Sequence, residues 1–110
     1  MAGTYELKKT SSGQYMFNLK AGNGEVILTS EQYKSKSGAE AGIESVRKNS
    51  PIDERYERKS STSNQPFFNL KAANHEVIGR SEMYSSTSAR ENGIESVKKN
   101  GPNAKVVERS

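Results

Sequence analysis

Polar and apolar residues alternate between Gln14 and Ala21, with Met16 as the one exception. One side of this alternation carries Tyr15, Phe17 and Leu19, and the other carries Met16, Asn18 and Lys20. A period of two residues is typical of a strand with one buried face. A shorter strand is predicted from Tyr5 to Lys9. A return strand is predicted from Glu25 to Ser30, after Asn23-Gly24, a pair that favours a tight two-residue hairpin turn.

A helical spacing follows the return strand. Four small or apolar residues that recur at helical intervals predict the buried side of this helix: Ala39, Gly42, Ile43 and Val46. Ser37 stands three residues before Glu40, and Ser88 three before Glu91, so both are predicted capping boxes. Pro51 and Pro102 follow the predicted helix ends. Glycine inside a helix, at Gly42 and Gly93, predicts a helix backbone packed very close to the sheet.

The whole pattern occurs twice, with an offset of 51 residues and no gap. From Tyr5 to Pro51, 28 of 47 positions are identical to their partners, which is a strong repeat signal. We therefore predict a single domain over residues 1–110, with repeat one at about 5–55 and repeat two at about 56–110. The strand around Arg55 to Lys59 is expected to close the first unit and open the second.

Each unit reads as three strands, a helix and a strand. One such unit has a small apolar face and is marginal by itself, so two units that share one sheet are expected. Only 31% of the residues are hydrophobic, which favours a thin core with helices on one face of the sheet. The predicted fold class is therefore α+β, with two tandem β3-α-β repeats in one mostly antiparallel sheet.

Three motifs in combination carry a family resemblance. They are Tyr-Met-Phe-Asn-Leu-Lys-Ala from residue 15, Asn-Gly-Glu-Val-Ile from residue 23 and Gly-Ile-Glu-Ser-Val from residue 42. Over both copies the chain resembles the YegP-like family of uncharacterised bacterial proteins. The resemblance implies one sheet in which the two units exchange their last strands, and it implies no mechanism. The second copy departs from the pattern at Pro66, His75 and Gly79.

Groups for covalent, metal or phosphate chemistry are scarce. The chain has no cysteine and one histidine, His75, which replaces Gly24 of the first copy and is expected to be an exposed turn residue. The paired carboxylates Glu25/Glu76 and Glu31/Glu82 are interpreted as solvated strand ends and loop residues, with acid–base pairs as the alternative. Gly22-Asn23-Gly24 is a hairpin and not a phosphate loop. We predict no enzyme activity, no cofactor and no metal.

The sheet face away from the helices is the most interesting surface. With a two-residue turn, Leu19 pairs with Leu28 and Lys20 with Ile27, and every second strand residue then points outward. The candidate interaction residues are Met16, Asn18, Lys20, Ile27, Phe67, Asn69, Lys71, Ile78 and Arg80. Three interpretations stay open: an ordinary solvated face, a protein-interaction face, or weak nucleic-acid binding that does not depend on sequence, through Lys20, Lys71, Arg80 and their neighbours.

The net charge of +4 fits either attraction to polyanions or ordinary solubility. The first nine residues contain no apolar run typical of a signal peptide, and no stretch has the length of a membrane span. The absence of cysteine favours the cytoplasm, and two units in one chain remove the need to dimerise. We therefore expect a cytoplasmic monomer without membrane contact, whose partner, if any, is a protein or a nucleic acid.

Overall fold

A computed structural model describes residues 3–109. The seven strands are β1 (Thr4–Lys9), β2 (Tyr15–Lys20), β3 (Val26–Ser30), β4 (Tyr56–Ser60), β5 (Pro66–Lys71), β6 (Val77–Arg80) and β7 (Lys105–Arg109). The helices are α1 (Lys36–Asn49) and α2 (Thr87–Asn100), and a short 3-10 turn spans Asp53–Arg55.

One sheet contains all seven strands, in the order β4-β5-β6-β3-β2-β1-β7. Every neighbouring pair is antiparallel except β1 and β7, which run parallel. The strand that follows each helix lies at the far edge of the other half: β4 pairs with β5 of repeat two, and β7 pairs with β1 of repeat one. The predicted α+β sheet with exchanged strands is therefore confirmed.

The core lies between the sheet and the two helices. Most of its large buried side chains come in equivalent pairs from the two copies, such as Phe17 with Phe68 and Ile43 with Ile94. A tyrosine from the segment before each helix stacks on the core phenylalanine, with ring centroids of Tyr33 and Phe17 6.3 Å apart. The same stack recurs in repeat two. Aromatic rings thus supply much of the buried area in a chain poor in apolar residues.

The helices begin two residues earlier than the capping boxes predicted. Ser35 is the N-cap of α1 and its Oγ accepts from the Gly38 backbone N at 3.0 Å. Ser86 does the same for α2. The capping boxes at Ser37 and Ser88 are therefore wrong. Ser35 and Ser86 have the extended backbone that a cap residue needs, whereas Ser37 and Ser88 already belong to the first helical turn.

The helix glycines make room for an aromatic ring. A Cβ built on Gly42 would lie 2.7 Å from Cζ of Tyr33 and 3.1 Å from Cε2 of Phe17. Gly93 has the same relationship to Tyr84 and Phe68. The predicted close approach is confirmed at the sheet phenylalanine, but the nearest neighbour is the tyrosine of the segment before the helix.

The first hairpin differs from the predicted two-residue turn. The Ala21 backbone N donates to the Glu25 carbonyl at 2.9 Å, which closes a loop of three residues. Gly24 takes the left-handed conformation in this loop (φ 87°), an arrangement common in hairpins of this length. Leu19 pairs with Leu28 as predicted. The Lys20–Ile27 pairing is wrong, because the longer loop shifts the register and pairs Lys20 with Val26.

Two buried tyrosines, one on β1 and one on β4, tie their strands to the helix ends. The Tyr56 hydroxyl donates to the Ser50 carbonyl at 2.6 Å, and the Tyr5 hydroxyl donates to the Gly101 carbonyl at 2.6 Å. In both cases the tyrosine and the helix belong to different repeats. These bonds satisfy carbonyls at helix C-termini that have no partner within the helix.

The two repeats meet along the β3–β6 seam, which contains the pairs Thr29–Arg80 and Ser30–Gly79. Thr29 and Arg80 are equivalent positions of the two copies, so the approximate two-fold axis passes between them. The helix ends also meet near this axis, where a Cβ on Gly101 would lie 2.7 Å from Cβ of Ser50, its equivalent. At both places where equivalent residues meet across the axis, the two copies carry different residues: Thr29 faces Arg80, and Ser50 faces Gly101.

Candidate interaction face

A row of polar side chains crosses the helix-free face of the sheet. The backbone register aligns six residues, one from each strand except β7, in the order Glu57, Asn69, Arg80, Thr29, Asn18 and Glu6. Strand partners project to the same side of a sheet. We call this helix-free side the outer face.

Each end of the row holds a carboxylate in contact with cations. Oε2 of Glu6 accepts from Nε of Arg109 at 3.1 Å and from Nζ of Lys20 at 3.3 Å. The Arg109 hydrogen bond is the largest cause that holds the pKa of Glu6 below its usual value, and the two neighbouring lysines add to it. At the other end, hydrogen bonds from Asn69 and Lys71 lower the pKa of Glu57. Both carboxylates are therefore ionised at neutral pH and already have partners.

Arg80 lies at the centre of the row and has no carboxylate within 4.0 Å in residues 3–109, although four of the other five arginines form ion pairs there. Its Nε donates to Oδ1 of Asn69 at 3.3 Å. The Asn69 amide is itself oriented, because its Nδ2 donates to Glu57 at 3.1 Å. Arg80 as a residue is exposed.

An open cavity of about 290 Å³ adjoins Arg80 at the seam. Its lining consists of Thr29, Ser30, Glu31, Gln32, Arg80 and Ser81. The Ser30 and Ser81 hydroxyls are occupied, since each accepts from a backbone N–H of β2 or β5 and donates to a neighbouring carbonyl. A second, smaller cavity of about 90 Å³ lies at the β1–β7 edge.

Charge on the outer face is strongly one-sided. Its strand positions carry two carboxylates, Glu6 and Glu57, against seven cations: Lys8, Lys20, Lys59, Lys71, Arg80, Lys105 and Arg109. The net charge of +4 of the whole chain is therefore concentrated here. Half-buried Met16 and Phe67 lie among these cations.

The nine candidate residues differ widely in exposure. Arg80 is exposed, and Met16, Lys20, Phe67 and Lys71 are partly buried. The remaining four are nearly covered, with exposed fractions of 7% for Asn18, 7% for Ile27, 5% for Asn69 and 8% for Ile78. Ile27 and Ile78 belong to the hydrophobic core cluster.

Several residues of the face were missed by sequence reasoning. Glu6, Glu57, Lys59, Lys105 and Arg109 lie on the short or edge strands, where alternation over a few residues is a weak signal. The recurrence of Tyr-Glu at both Tyr5 and Tyr56 was the available clue, because a strand that buries the tyrosine must turn the next side chain to the opposite face.

The other sequence candidates lie apart from this row. His75 is an exposed turn residue with a left-handed backbone (φ 71°), as predicted. Glu25 and Glu76 are exposed at the hairpin turns, where each bonds to an asparagine, and Glu31 and Glu82 are exposed after their strands. Residues 3–109 contain no cluster of three or more histidine, cysteine or acidic residues suited to a metal ion. Neither α1 nor α2 has the length and hydropathy that crossing a bilayer requires.

The family profile described as Domain of unknown function (DUF1508) matches the chain twice, at residues 11–57 and 61–108. The chain belongs to this family. It is 63% identical over 101 residues to a UPF0339 protein of Shewanella oneidensis, with 92% of each sequence covered. It is 58% identical over 106 residues to the UPF0339 protein YegP of Escherichia coli, with 96% of each covered.

Two solved structures have the same fold. The solution NMR structure of a UPF0339 protein from S. oneidensis matches with a TM-score of 0.92 and 59% identity, over 98% of this chain and 92% of that one. The solution NMR structure of YegP from E. coli, described as a protein of unknown function, matches with a TM-score of 0.94 and 57% identity. That match covers 99% of this chain and 94% of the E. coli chain. The family resemblance read from the sequence is confirmed.

Proposed function

We propose that this protein is a non-enzymatic binding protein whose outer face receives an acidic polypeptide. The observation that carries the proposal is the concentration of seven cations and only two carboxylates on one sheet face. Both carboxylates are already paired within the protein. Complementary charge is a common basis for partner selection and for fast association.

The side chains between the cations favour a polypeptide over a single-stranded nucleic acid. Sequence-tolerant binding of single strands depends on aromatic platforms for base stacking. Among the strand positions of the outer face in residues 3–109, Phe67 is the one aromatic residue, and it is half-buried. Arginine and methionine, by contrast, are enriched in protein interfaces.

A peptide selection tests the proposal. Random peptides displayed on phage are selected on the immobilised protein, and the selected sequences are expected to be rich in aspartate and glutamate. Their binding is expected to weaken with salt, because exposed charges are screened. In NMR titrations of the ¹⁵N-labelled protein, they are expected to shift resonances of outer-face residues. Selected peptides without acidic enrichment, or shifts centred on the helices, would contradict the proposal.

A charge-reversal pair locates the binding. Lys59 and Lys105 are exposed and have no carboxylate within 4.0 Å in the described part of the chain, so neither substitution removes a partner from an ion pair of the fold. Lys59→Glu with Lys105→Glu is expected to weaken peptide binding severalfold. The matched control is Lys48→Glu with Lys99→Glu, which reverses two exposed helix lysines and is expected to change binding little.

Weak nucleic-acid binding is the second candidate, favoured by the spread of the outer-face cations over six of the seven strands rather than in one cluster. Labelled single-stranded RNA and DNA are titrated at low and moderate salt. If the protein binds the labelled RNA or DNA and no acidic peptide is selected, the proposed partner is a nucleic acid and not a polypeptide. Lys20→Glu with Lys71→Glu is a poorer test, because these lysines also pair with Glu6 and Glu57.

A further inference from the structure

Arg80 is held in place without being neutralised. Its Nε is bonded to Asn69, whose amide is fixed in turn by Glu57. The carbonyl oxygen of an amide orients a guanidinium but leaves its full positive charge. The other nitrogens of a guanidinium so held form a planar fork that matches two oxygens of one acid group.

Arg80 lines a cavity in which a ligand could contact this fork. It is polar, open to solvent and, at about 290 Å³, large enough for an acidic side chain or a small organic acid. The Ser30 and Ser81 hydroxyls that line it have their partners within the fold. Arg80, the Thr29 hydroxyl and the Gln32 amide remain to contact a ligand.

One wall of the cavity limits the charge of the ligand. Glu31 lines the same space and is exposed. A phosphate monoester carries close to two negative charges at neutral pH, so Glu31 repels it more than it repels a single carboxylate. The combination of one cation, one nearby carboxylate and neutral donors therefore favours a ligand with one negative charge.

We propose that Arg80 and this cavity form a carboxylate-binding site, in which the guanidinium holds the acid group and Thr29 and Gln32 contact its surroundings. This inference rests on the proposed function for its biological source, an acidic side chain of the bound polypeptide. The chemistry is the same for a free organic acid, and the experiment separates the two sources.

Propionate, which carries a single negative charge, is the probe for the site itself. It is titrated into the ¹⁵N-labelled protein while the side-chain Nε–Hε resonance of each arginine is followed, with sodium chloride at equal ionic strength as the blank. A saturable shift of the Arg80 resonance is expected, absent in Arg80→Gln and larger than the shift that inorganic phosphate causes. A shift equal to that of the blank would overturn the site, and tighter binding of phosphate would overturn its assignment to carboxylates.

Arg55 is a matched control for the arginine. Its Nε also donates to an asparagine, Oδ1 of Asn49 at 3.0 Å, and no carboxylate lies within 4.0 Å of it among the described residues. It does not line the cavity. Its resonance is expected to follow the blank, and an equal propionate shift at Arg55 and Arg80 would contradict a specific site.

The selected acidic peptides connect the site to the proposed function. Arg80→Gln is expected to weaken their binding roughly tenfold, the effect of losing a hydrogen bond to a charged group. Unchanged peptide binding in Arg80→Gln, with weaker binding in the Lys59/Lys105 variant, would overturn the role of the site in peptide recognition and leave the proposed function standing. Saturable propionate binding without any acidic peptide would support the site and remove the proposed function.

Discussion

Leu28 covers the place where Gly79 would carry a side chain. A Cβ built on Gly79 would lie 2.7 Å from Cγ of Leu28, and the two residues are equivalent positions of the two repeats. Leu28 itself is 1% exposed. One large and one absent side chain thus fill a space at the seam that two leucines would overfill. At the helix ends, Ser50 likewise occupies the place where Gly101, its equivalent, would carry a side chain.

Gly79→Leu should destabilise the protein by about 1–3 kcal/mol, because an added side chain in a filled core forces its neighbours out of their preferred rotamers. The exchange variant Leu28→Gly with Gly79→Leu should recover part of this loss, since it keeps one leucine in the shared space. Urea unfolding of the four proteins in this cycle measures the coupling. Additive effects of the two substitutions would contradict the close packing of the pair.

Tyr5→Phe and Tyr56→Phe should each cost about 1–3 kcal/mol, because a buried carbonyl at a helix end then loses its donor. Burial raises the pKa of both tyrosine hydroxyls far above the usual value, so they remain protonated donors. Chemical denaturation of both variants tests this. Tyr15→Phe is the control, because Tyr15 is only half-buried, and a loss of stability there as large as at Tyr5 would contradict the assigned role.

His75→Gly should stabilise the protein, by up to about 1 kcal/mol, because the left-handed backbone at this turn is unfavourable for a residue with a Cβ. The reciprocal change Gly24→His at the equivalent turn should destabilise by a similar amount. Thermal unfolding of the two variants gives the comparison. If both substitutions changed the stability in the same direction, the left-handed turn conformation could not be the cause of the effect.

The outer-face ion pairs make stability fall in acid. The pKa of Glu6 in the folded protein is below its ordinary value of 4.5, so the unfolded chain binds the proton more readily. The contribution of Glu6 is fully present above pH 4.5 and is lost as the pH falls through its folded pKa. Glu6→Gln should therefore flatten the decrease of the unfolding free energy below pH 4.5.

Urea unfolding over a pH series measures this change of slope. Glu40→Gln is the matched control, because Glu40 is exposed on α1 and has no cation within 4.0 Å among residues 3–109. Its curve should run parallel to that of the unchanged protein. Parallel curves for Glu6→Gln as well would contradict a stabilising role for the Glu6 ion pairs.

The periodicity and the 51-residue offset were enough to predict the strands, the helices and their shared sheet. Alternation placed Phe17 and Leu19 in the core, and the equivalent residues of the second copy followed from the repeat. These features are local or depend only on comparing the chain with itself. The start of each helix was not settled in this way, because Ser35 and Ser37 are both good caps and only the backbone conformation chooses between them.

The row from Glu6 through Arg80 to Glu57 depends on strand order and register, which join residues far apart in the chain. The three-residue hairpin loop changed the pairing of Lys20, and the seam brought Thr29 opposite Arg80. By itself, the sequence determined that there are two copies and which elements each contains. Only the tertiary structure shows that some differences between the copies have a physical cause. Equivalent residues at the two-fold axis, such as Leu28 and Gly79, must share one space and cannot both be large.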